Sequence, residues 1–172
     1  MQQTPPERFK PAITVAAIIE REGRYLVVEE MTRDGIRLNN PAGGLEPGES
    51  LAAGAAREAL EETAHPFTPT ALVGVYMARN PLTEAGRGVT YLRFAFAGTA
   101  GECIEGRALD HPVIRTLWLT PEELAADPAR LRGPLVLQCI LDHARGQRFP
   151  LEALHTHPSV ADPDGAHPLP RP

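Results

Sequence analysis

The sequence predicts a mixed α/β fold built from layers of strands and helices. Near the N-terminus, residues 12–19 and 24–29 form two apolar runs separated by a short polar stretch. An alanine-rich acidic segment that is typical of a helix starts at Ser50, and further strand-like and helix-like segments follow it. This order of hairpin, helix, strands and closing helices is typical of α/β layer architectures.

The chain is expected to form one domain with flexible ends. It has 172 residues, of which 42% are hydrophobic and 23% are charged, so it can bury a core of ordinary size. We predict a folded domain over residues 11–152, a flexible N-terminus over residues 1–10 and a flexible, proline-rich tail over residues 153–172.

The first half of the domain divides into a hairpin, a loop and a helix. Residues 12–19 and 24–29 are expected to pair through a turn at residues 20–23. Residues 41–48 contain two prolines and three glycines, which favour a tight, irregular loop. From Ser50 onward alanine, leucine and glutamate dominate, and they predict a helix.

The second half predicts three strands and two helices. Residues 70–78 and 89–97 are expected to be strands joined by a polar turn that contains Pro81 and Gly86, and residues 113–119 predict another strand. A capped helix follows, and its signals are Thr120 as N-cap, Pro121 at the first helical position and Glu123 closing a capping box. The last helix is expected over residues 134–145, ending at Gly146.

Three glutamates of the first predicted helix can share one side of it. Glu58 and Glu62 are four positions apart, and Glu61 lies three positions after Glu58. Their charges repel one another, and a divalent cation would cancel that repulsion. Oxygen ligands suit Mg²⁺ or Mn²⁺ rather than Zn²⁺, which prefers Cys and His. Arg57 could pair with Glu61 or reach back to Glu49, which would brace the loop against the helix.

The spacing of these residues resembles the Nudix box, the signature motif of the Nudix hydrolase family. Gly43, Glu49, Arg57-Glu58 and Glu61-Glu62 follow the pattern G-x5-E-x7-R-E-x2-E-E. Ala59, Ala64 and His65 depart from the rest of the pattern, and none of them is at a ligand position. Other stretches resemble the NudJ-type phosphatases of the family, namely residues 9–11, 25–30, 40–43, 91–94 and 146–152.

This resemblance implies a fold and a metal site. The fold would be the α/β/α sandwich of the family with a mixed β-sheet. The activity would be hydrolysis of a phosphoanhydride bond in a small phosphorylated molecule, with bound Mg²⁺ neutralising charge and holding the attacking water. We expect Glu58 and Glu62 to be the principal metal ligands, with Glu61 supporting, the carbonyl of Gly43 adding a further ligand, and Glu49 either binding metal or orienting the arginine.

Catalytic roles are expected for Glu61, Glu62, Arg57 and Asp110. The family places its general base either within the box or on a distant acidic loop. Asp110, just before the strand predicted at residues 113–119, is the best distal candidate, and Glu102 and Glu105 are its rivals.

Substrate-binding residues are predicted on one strand face and at strand ends. Leu92, Phe94 and Phe96 share one face of their strand, which leaves Tyr91 and Arg93 on the other face. Arginine forks suit phosphate oxygens, so the substrate candidates are Arg93, Tyr91, Arg37 and Arg79, with Arg33 beside them. Each arginine could equally be an ordinary surface residue. The resemblance implies nucleoside di- and triphosphates or a pyrimidine pyrophosphate as substrate, with phosphate released.

Composition excludes several other functions. A net charge of −5 and a pI near 5.7 argue against binding of DNA or RNA polymers, whereas a small polyphosphate bridged by metal remains acceptable. The two serines lie in no G-x-S-x-G motif, and the single lysine, Lys10, lies in no Walker A loop. No apolar run is long enough to span a bilayer. Cys103 and Cys139 show no paired spacing, and they predict reduced cysteines in a cytoplasmic protein.

Two alternatives stay open from the sequence. The chain could be another Nudix pyrophosphatase that cleaves an ADP-sugar, a dinucleoside polyphosphate or an oxidised nucleotide. It could also be a non-catalytic Nudix module that binds a nucleotide, although every charged position of the box is retained. The sequence does not determine the oligomeric state or the number of metal ions.

Overall fold

A computed structural model describes residues 9–80 and 88–162 of the protein. The predicted turn at Pro81 and Gly86, most of the predicted N-terminal segment and the last part of the predicted tail lie outside these residues. The elements in chain order are β1 (Ala12–Ile18), β2 (Glu20–Arg21), β3 (Arg24–Thr32), β4 (Gly35–Asn39), β5 (Ala42–Gly44), α1 (Leu51–Thr63), β6 (Phe67–Asn80), β7 (Val89–Ala100), β8 (Val113–Leu119), α2 (Pro121–Ala126) and α3 (Pro134–Ala144). Short 3₁₀ turns cover Pro128–Arg130, Leu151–Ala153 and Pro158–Val160.

The strands form two sheets. The first sheet has the order β5-β1-β7-β6, in which β1 and β7 are parallel and the other neighbours are antiparallel. This sheet is the mixed sheet that the sequence predicts. The second sheet is antiparallel, and in it β3 pairs with β2, β4 and β8.

The predicted hairpin between residues 12–19 and 24–29 is wrong for most of its length. Only β2 pairs with the start of β3, through the two-residue turn Glu22-Gly23. β1 pairs instead with β5 and β7, in the other sheet. An apolar run that is buried on both faces needs a partner at each edge, and its composition does not identify those partners.

The prediction of an irregular loop over residues 41–48 is wrong at Ala42–Gly44, which forms β5 along β1. The backbone N–H of Ala17 also donates to the carbonyl of Pro41, with an N···O distance of 2.9 Å. Pairing with a distant strand therefore overrides the local preference of a glycine-rich and proline-rich stretch. No sequence pattern predicted β4, which pairs with the second half of β3.

Helices cover both faces of the sheets, as in the predicted α/β/α sandwich. α1 packs through Ala55 and Ala59 into a core that contains Val15, Leu26 and Phe96. α2 and α3 pack into a second core on the opposite side of β1, which contains Ala16, Ile18, Leu124, Cys139 and Ile140. Small residues on α1 let this helix approach the sheet closely. None of the helices in the described part of the chain is both long and apolar enough to cross a membrane.

Side chains cap the N-terminal ends of α1 and α2, and the cap of α2 is the predicted one. The side chain of Ser50 caps α1 by accepting from the N–H of Ala53, and Thr120 and Glu123 form the predicted capping box of α2. α1 ends at Ala64, whose φ of 59° is left-handed. This conformation explains why the box motif has glycine at that position, and this chain adopts the same turn with alanine.

The segment after α3 crosses the side of the molecule that carries α1. Phe149 forms a bridge with Leu72 of β6. Leu151 and Leu154 pack against the α1 core, so the packed part of the chain extends slightly beyond residue 152. The flexibility predicted for residues 153–172 stays a prediction.

The turn between β2 and β3 carries a strained residue that can be improved. Glu22 and Gly23 have φ values of 54° and 78°, as a type I′ turn requires, and such turns favour Asn-Gly. We predict that Glu22→Asn raises the free energy of unfolding by about 0.5–1 kcal/mol, or Tm by roughly 1–4 °C, in a thermal unfolding experiment. Glu22→Gln removes the same charge without relieving the backbone, so an equal gain from that variant would contradict the explanation.

Candidate active site

The segment from β5 to α1 brings two glycines against acidic side chains. A Cβ added at Gly43 would collide with the carboxylate of Glu58, and one added at Gly54 would lie 2.7 Å from Oε1 of Glu49. The carboxylate of Glu49 also accepts from the backbone N–H of Glu46, at 2.8 Å. Glycine is therefore needed at both positions because the carboxylates of α1 and its preceding loop pack directly against backbone.

Arg57 holds the acidic residues of this segment together. Its Nε and Nη2 donate to the two carboxylate oxygens of Glu49, at 3.0 and 2.8 Å. Its Nη1 donates to Glu58 at 2.7 Å and to Glu61 at 3.0 Å, and its Nη2 also donates to the carbonyl of Gly44 at 2.9 Å. Both pairings left open by the sequence therefore form, and the predicted brace between loop and helix is present.

These ion pairs change the acidity of the participating groups. The hydrogen bonds from Arg57 hold the pKa of Glu49 below its usual value. Hydrogen bonding to Glu49 in turn raises the pKa of Arg57, so the guanidinium stays charged. The pair behaves as a fixed salt bridge that fastens the loop to α1.

Glu58 and Glu62 are the buried acidic pair of the site. Each is 8% exposed, and they lie one helical turn apart on α1. Oε2 of Glu62 accepts from the backbone N–H of Ala42 on β5, at 2.8 Å. Burial, together with the neighbouring charges of Glu58 and Glu30, raises the pKa of Glu62 to about 8. Burial also raises the pKa of Glu58, against the opposing effect of Arg57.

The predicted metal ligands lie in one region of the fold, but their side chains are held by two different groups, Arg57 and the backbone of β5. Arg57 binds Glu49, Glu58 and Glu61, while Glu62 lies on the other side against β5. Across residues 9–80 and 88–162, no three acidic, histidine or cysteine side chains form a ready metal cluster.

The acidic pair nevertheless fits a hard divalent cation. Two buried carboxylates with raised pKa values are costly as neighbouring anions, and a cation between them removes that cost. Gly43 adds backbone in direct contact with Glu58. The residues that would hold the cation are therefore Glu58 and Glu62, with Glu61 beside Glu62 on α1 and the backbone of Gly43 against Glu58.

The structure separates the predicted substrate residues. Arg93 is partly buried on β7, where it donates to Oδ1 of Asn40 at 3.3 Å and of Asn39 at 3.4 Å. Burial lowers its pKa, and the oxygens that accept its hydrogen bonds belong to side-chain amides. Tyr91 lies half-buried two residues before it on β7.

The other arginine candidates lie on β4, on β6 and in the turn between β3 and β4. Arg37 is half-buried on β4 opposite Glu30 and donates to the carbonyl of Ile36. Arg79 is exposed near the end of β6, and Arg33 lies beside Asp34, with their charged atoms 3.9 Å apart.

The candidate bases differ in their relation to α1. The backbone N–H of Asp110 donates to the carbonyl of Glu61 at 3.0 Å, so this exposed aspartate is anchored at the C-terminal end of α1. Glu102 lies 3.7 Å from Arg21 in an exposed ion pair, and Glu105 is exposed. Asp110 is the one of the three whose backbone bonds directly to a residue of the acidic motif.

The sequence did not predict an acidic pair on β3. Glu29 and Glu30 are buried at 5% and 1% exposure. Glu29 binds Arg115 and Arg130, each at 2.7 Å, whereas Glu30 binds Arg132. The sequence did contain a signal for this pair, because two adjacent glutamates directly follow an apolar run. Carboxylates that are buried with such a run require charged or hydrogen-bonding partners.

Comparisons with known proteins agree with this geometry. A family model described as the NUDIX domain matches residues 8–138. The chain is 35% identical over 146 residues to Phosphatase NudJ of Escherichia coli, an alignment that covers 85% of this chain and 92% of that protein. It is 46% identical to a solved NUDIX hydrolase from Nitrosomonas europaea, with a TM-score of 0.79 and coverage of 87% and 99% of the two chains. A MutT protein from Methanosarcina mazei Go1 is 26% identical with a TM-score of 0.61, covering 81% and 98%.

The raised pKa of Glu62 predicts how the stability of the metal-free protein depends on pH. The folded state keeps the Glu62 proton up to about pH 8, whereas an unfolded glutamate loses it near pH 4.5, so stability falls as the pH rises between these values. His143 acts oppositely below pH 6.5, because burial lowers its pKa to about 4. We therefore expect the free energy of unfolding, measured with denaturant, to fall by about 1–2 kcal/mol from pH 6.5 to pH 8.

The matched variant is Glu62→Gln, whose amide oxygen can still accept from Ala42. It should lose most of this pH dependence, and Mg²⁺ should stabilise the wild type most at the upper end of the range because the cation binds the ionised carboxylate. Identical pH dependence for the wild type and the variant would contradict the assignment.

Proposed function

Because this chain belongs to the Nudix hydrolase family, we propose that it is a Mg²⁺-dependent hydrolase of phosphoanhydride bonds in nucleoside di- and triphosphates or pyrimidine pyrophosphates. Nudix hydrolases act on small phosphorylated substrates and generally use divalent metal cations. The observation that supports the proposal most is the buried pair Glu58 and Glu62, in which Arg57 holds Glu58 beside Gly43 and the N–H of Ala42 holds Glu62. The choice of substrate rests on similarity to a phosphatase, Phosphatase NudJ.

The proposed roles follow from what a diphosphate bond demands. Bound Mg²⁺, or Mn²⁺ in its place, supplies neutralisation of the phosphate oxygens and activation of water. Glu58 and Glu62 hold the cation, with support from Glu61 and the carbonyl of Gly43. Arg57 fixes the acidic loop by its bonds to Glu49, so the ligands do not have to be ordered when the substrate binds.

Asp110 is proposed as the general base that removes a proton from the attacking water. Its backbone bond to Glu61 fixes it at the end of α1 that carries Glu61 and Glu62, and its exposed carboxylate is accessible to water. Glu61 is the alternative within the box, but its carboxylate already accepts a hydrogen bond from Arg57 at 3.0 Å.

The two alternative functions differ from the proposal in the preferred substrate or in the absence of turnover. Another Nudix pyrophosphatase would prefer an ADP-sugar, a dinucleoside polyphosphate or an oxidised nucleotide. A binding module would hold such molecules without turnover. The burial of Glu58 and Glu62 argues against the binding module, because maintaining two buried carboxylates is costly unless they hold a cation. A cytoplasmic location and the absence of binding to nucleic acid polymers stay predictions.

The experiment that tests the proposal is a substrate panel assayed with Mg²⁺. We expect the wild type to release inorganic phosphate from at least one nucleoside di- or triphosphate or pyrimidine pyrophosphate. We expect Glu62→Gln to lower turnover by about two orders of magnitude or more, because a metal ligand is lost.

The matched control is Glu122→Gln, an exposed glutamate on α2 that should leave turnover unchanged. Preference for an ADP-sugar or a dinucleoside polyphosphate would favour the other pyrophosphatases. Tight binding with no Mg²⁺-dependent turnover would favour the binding module. Near-normal turnover of Glu62→Gln at saturating Mg²⁺ would remove Glu62 from the site.

The assignment of the base predicts a difference between two substitutions. Asp110→Asn should lower kcat by about 100-fold and abolish the acidic limb of the pH–rate profile, because the group that accepts the proton is absent. Glu61→Gln should lower kcat while retaining that limb. If the acidic limb disappears in Glu61→Gln and persists in Asp110→Asn, the base belongs to the box instead.

A further inference from the structure

Adjacent glutamates on β3 bind arginines that lie two positions apart. Glu29 binds Arg130 and Glu30 binds Arg132, in the stretch between α2 and α3. The two arginine side chains are similarly exposed, at 45% and 52%. Neighbouring residues of a strand point to opposite faces, so the two pairs lie on different sides of β3. Glu30 shares its face with Leu26, which packs into the α1 core.

Arg132 is joined to the active site through a short stretch of backbone. Its N–H donates to the carbonyl of Leu38 at 2.9 Å. The next two residues along the chain, Asn39 and Asn40, accept hydrogen bonds from Arg93 through their side-chain oxygens. The segment between Leu38 and Ala42 can span at most about 14 Å even when fully extended.

Ala42, at the end of this segment, donates to Glu62. The backbone of Arg132 is therefore bonded to a short segment whose other end is bonded to the proposed metal ligand Glu62. The charge of Arg132 acts on Glu62 and on Arg93, which agrees with this placement.

Glu30 fixes Arg132 and leaves part of it available. One carboxylate oxygen of Glu30 binds Nη1 of Arg132, and its other oxygen, Oε1, is buried without a hydrogen-bond partner. A guanidinium has five N–H donors, and the Arg132 side chain is half-exposed. Among the residues that the structure describes, Glu30 is the side-chain partner of this guanidinium, so its other donors can reach a ligand while the buried glutamate sets the orientation of the group.

Arg93 has no directly bonded carboxylate. It is partly buried against amide oxygens and forms no ion pair within the described residues, and the charges of Glu30 and Glu62 act on it from a distance. Arg132 lies close enough for its charge to oppose that of Arg93. Of these two arginines, Glu30 binds Arg132 directly. A cation at Glu58 and Glu62 would remove further negative charge from this region, so an anionic ligand group is expected beside Arg132.

We propose that Arg132, oriented by Glu30, binds a phosphate group of the substrate next to the one attacked by water. The inference rests on the proposed function and adds a phosphate-binding residue to it. The planar fork of an arginine matches two phosphate oxygens, and a half-exposed guanidinium held at one end is already oriented for that contact. Glu30 is a positioning residue in this scheme, because it acts through Arg132.

Arg130 provides a matched control for a purely structural role. It has a similar exposure, binds a buried glutamate of the same strand and comes from the same stretch of chain. Glu29 keeps Arg115 when Arg130 is lost, so a purely structural role predicts a larger loss of stability in Arg132→Met than in Arg130→Met, but no selective rise in KM in either variant. If Arg132 binds phosphate, only its substitution should affect the substrate.

The test compares steady-state kinetics of the two variants on the substrate that the wild type hydrolyses best. Arg132→Met should raise KM by about tenfold or more and change kcat much less, which is the usual effect of losing a hydrogen bond to a charged group. Arg130→Met should leave KM within about twofold, a margin well below that effect. Glu30→Gln should raise KM in the same direction, because Arg132 loses its anchor. Equal increases in KM for both arginine variants, or an unchanged KM for Arg132→Met, would overturn the proposal.

A binding measurement separates this proposal from the proposed function. Calorimetry with Mg²⁺ and a non-hydrolysable α,β-methylene nucleoside diphosphate should show about tenfold weaker binding for Arg132→Met and unchanged binding for Arg130→Met. That result would support the phosphate contact even if the wild type hydrolysed nothing in the panel. Should Arg132→Met fail to fold, Arg132→Lys keeps the charge without the fork, and wild-type affinity in that variant would overturn the proposal.

Discussion

The site depends on burying two carboxylates of α1 against the backbone of β5. Glu58 and Glu62 can occupy this position only because Gly43 has no side chain and because Ala55 and Ala59 bring the helix close to the sheet. Such burial is costly for anions, and the fold offsets part of the cost with the guanidinium of Arg57 and the N–H of Ala42. The remaining electrostatic imbalance is the reason why we propose the pair as the site of a divalent cation.

Local parts of this arrangement could be predicted from the sequence, and long-range parts could not. The acidic helix, the capping box of α2 and the bonds of Arg57 to Glu49 and Glu61 depend on residues within a few turns of one another, so spacing indicates them. The pairing of β1 with β7 and the contact between Glu30 and Arg132, 102 positions apart, depend on which distant segments meet. Apolar runs and single charged residues do not specify that choice.

The charges of the site are sorted into two halves that meet along the segment from Leu38 to Gly43. Its far end contacts the acidic helix through Ala42 and Gly43, and its near end contacts Arg93 and Arg132 through Leu38 and the two asparagines. A phosphorylated substrate suits such a division, because its oxygens can lie between a cation held by one half and the guanidinium groups of the other.

The departures from the Nudix box fit the same physical scheme. Ala59 is fully buried between α1 and the sheet, where β-strand side chains such as Phe96 fill the space that a larger helix residue would take. Ala64 takes up the left-handed turn despite its side chain, and His65 bonds to the carbonyl of Gly101 through Nδ1 at 2.8 Å. These changes alter how α1 ends and packs, whereas Glu58 and Glu62 keep the neighbours that bury them. Variation in the motif is therefore tolerated where it affects packing that the rest of the fold can adjust, and the charged positions are constrained because backbone surrounds them.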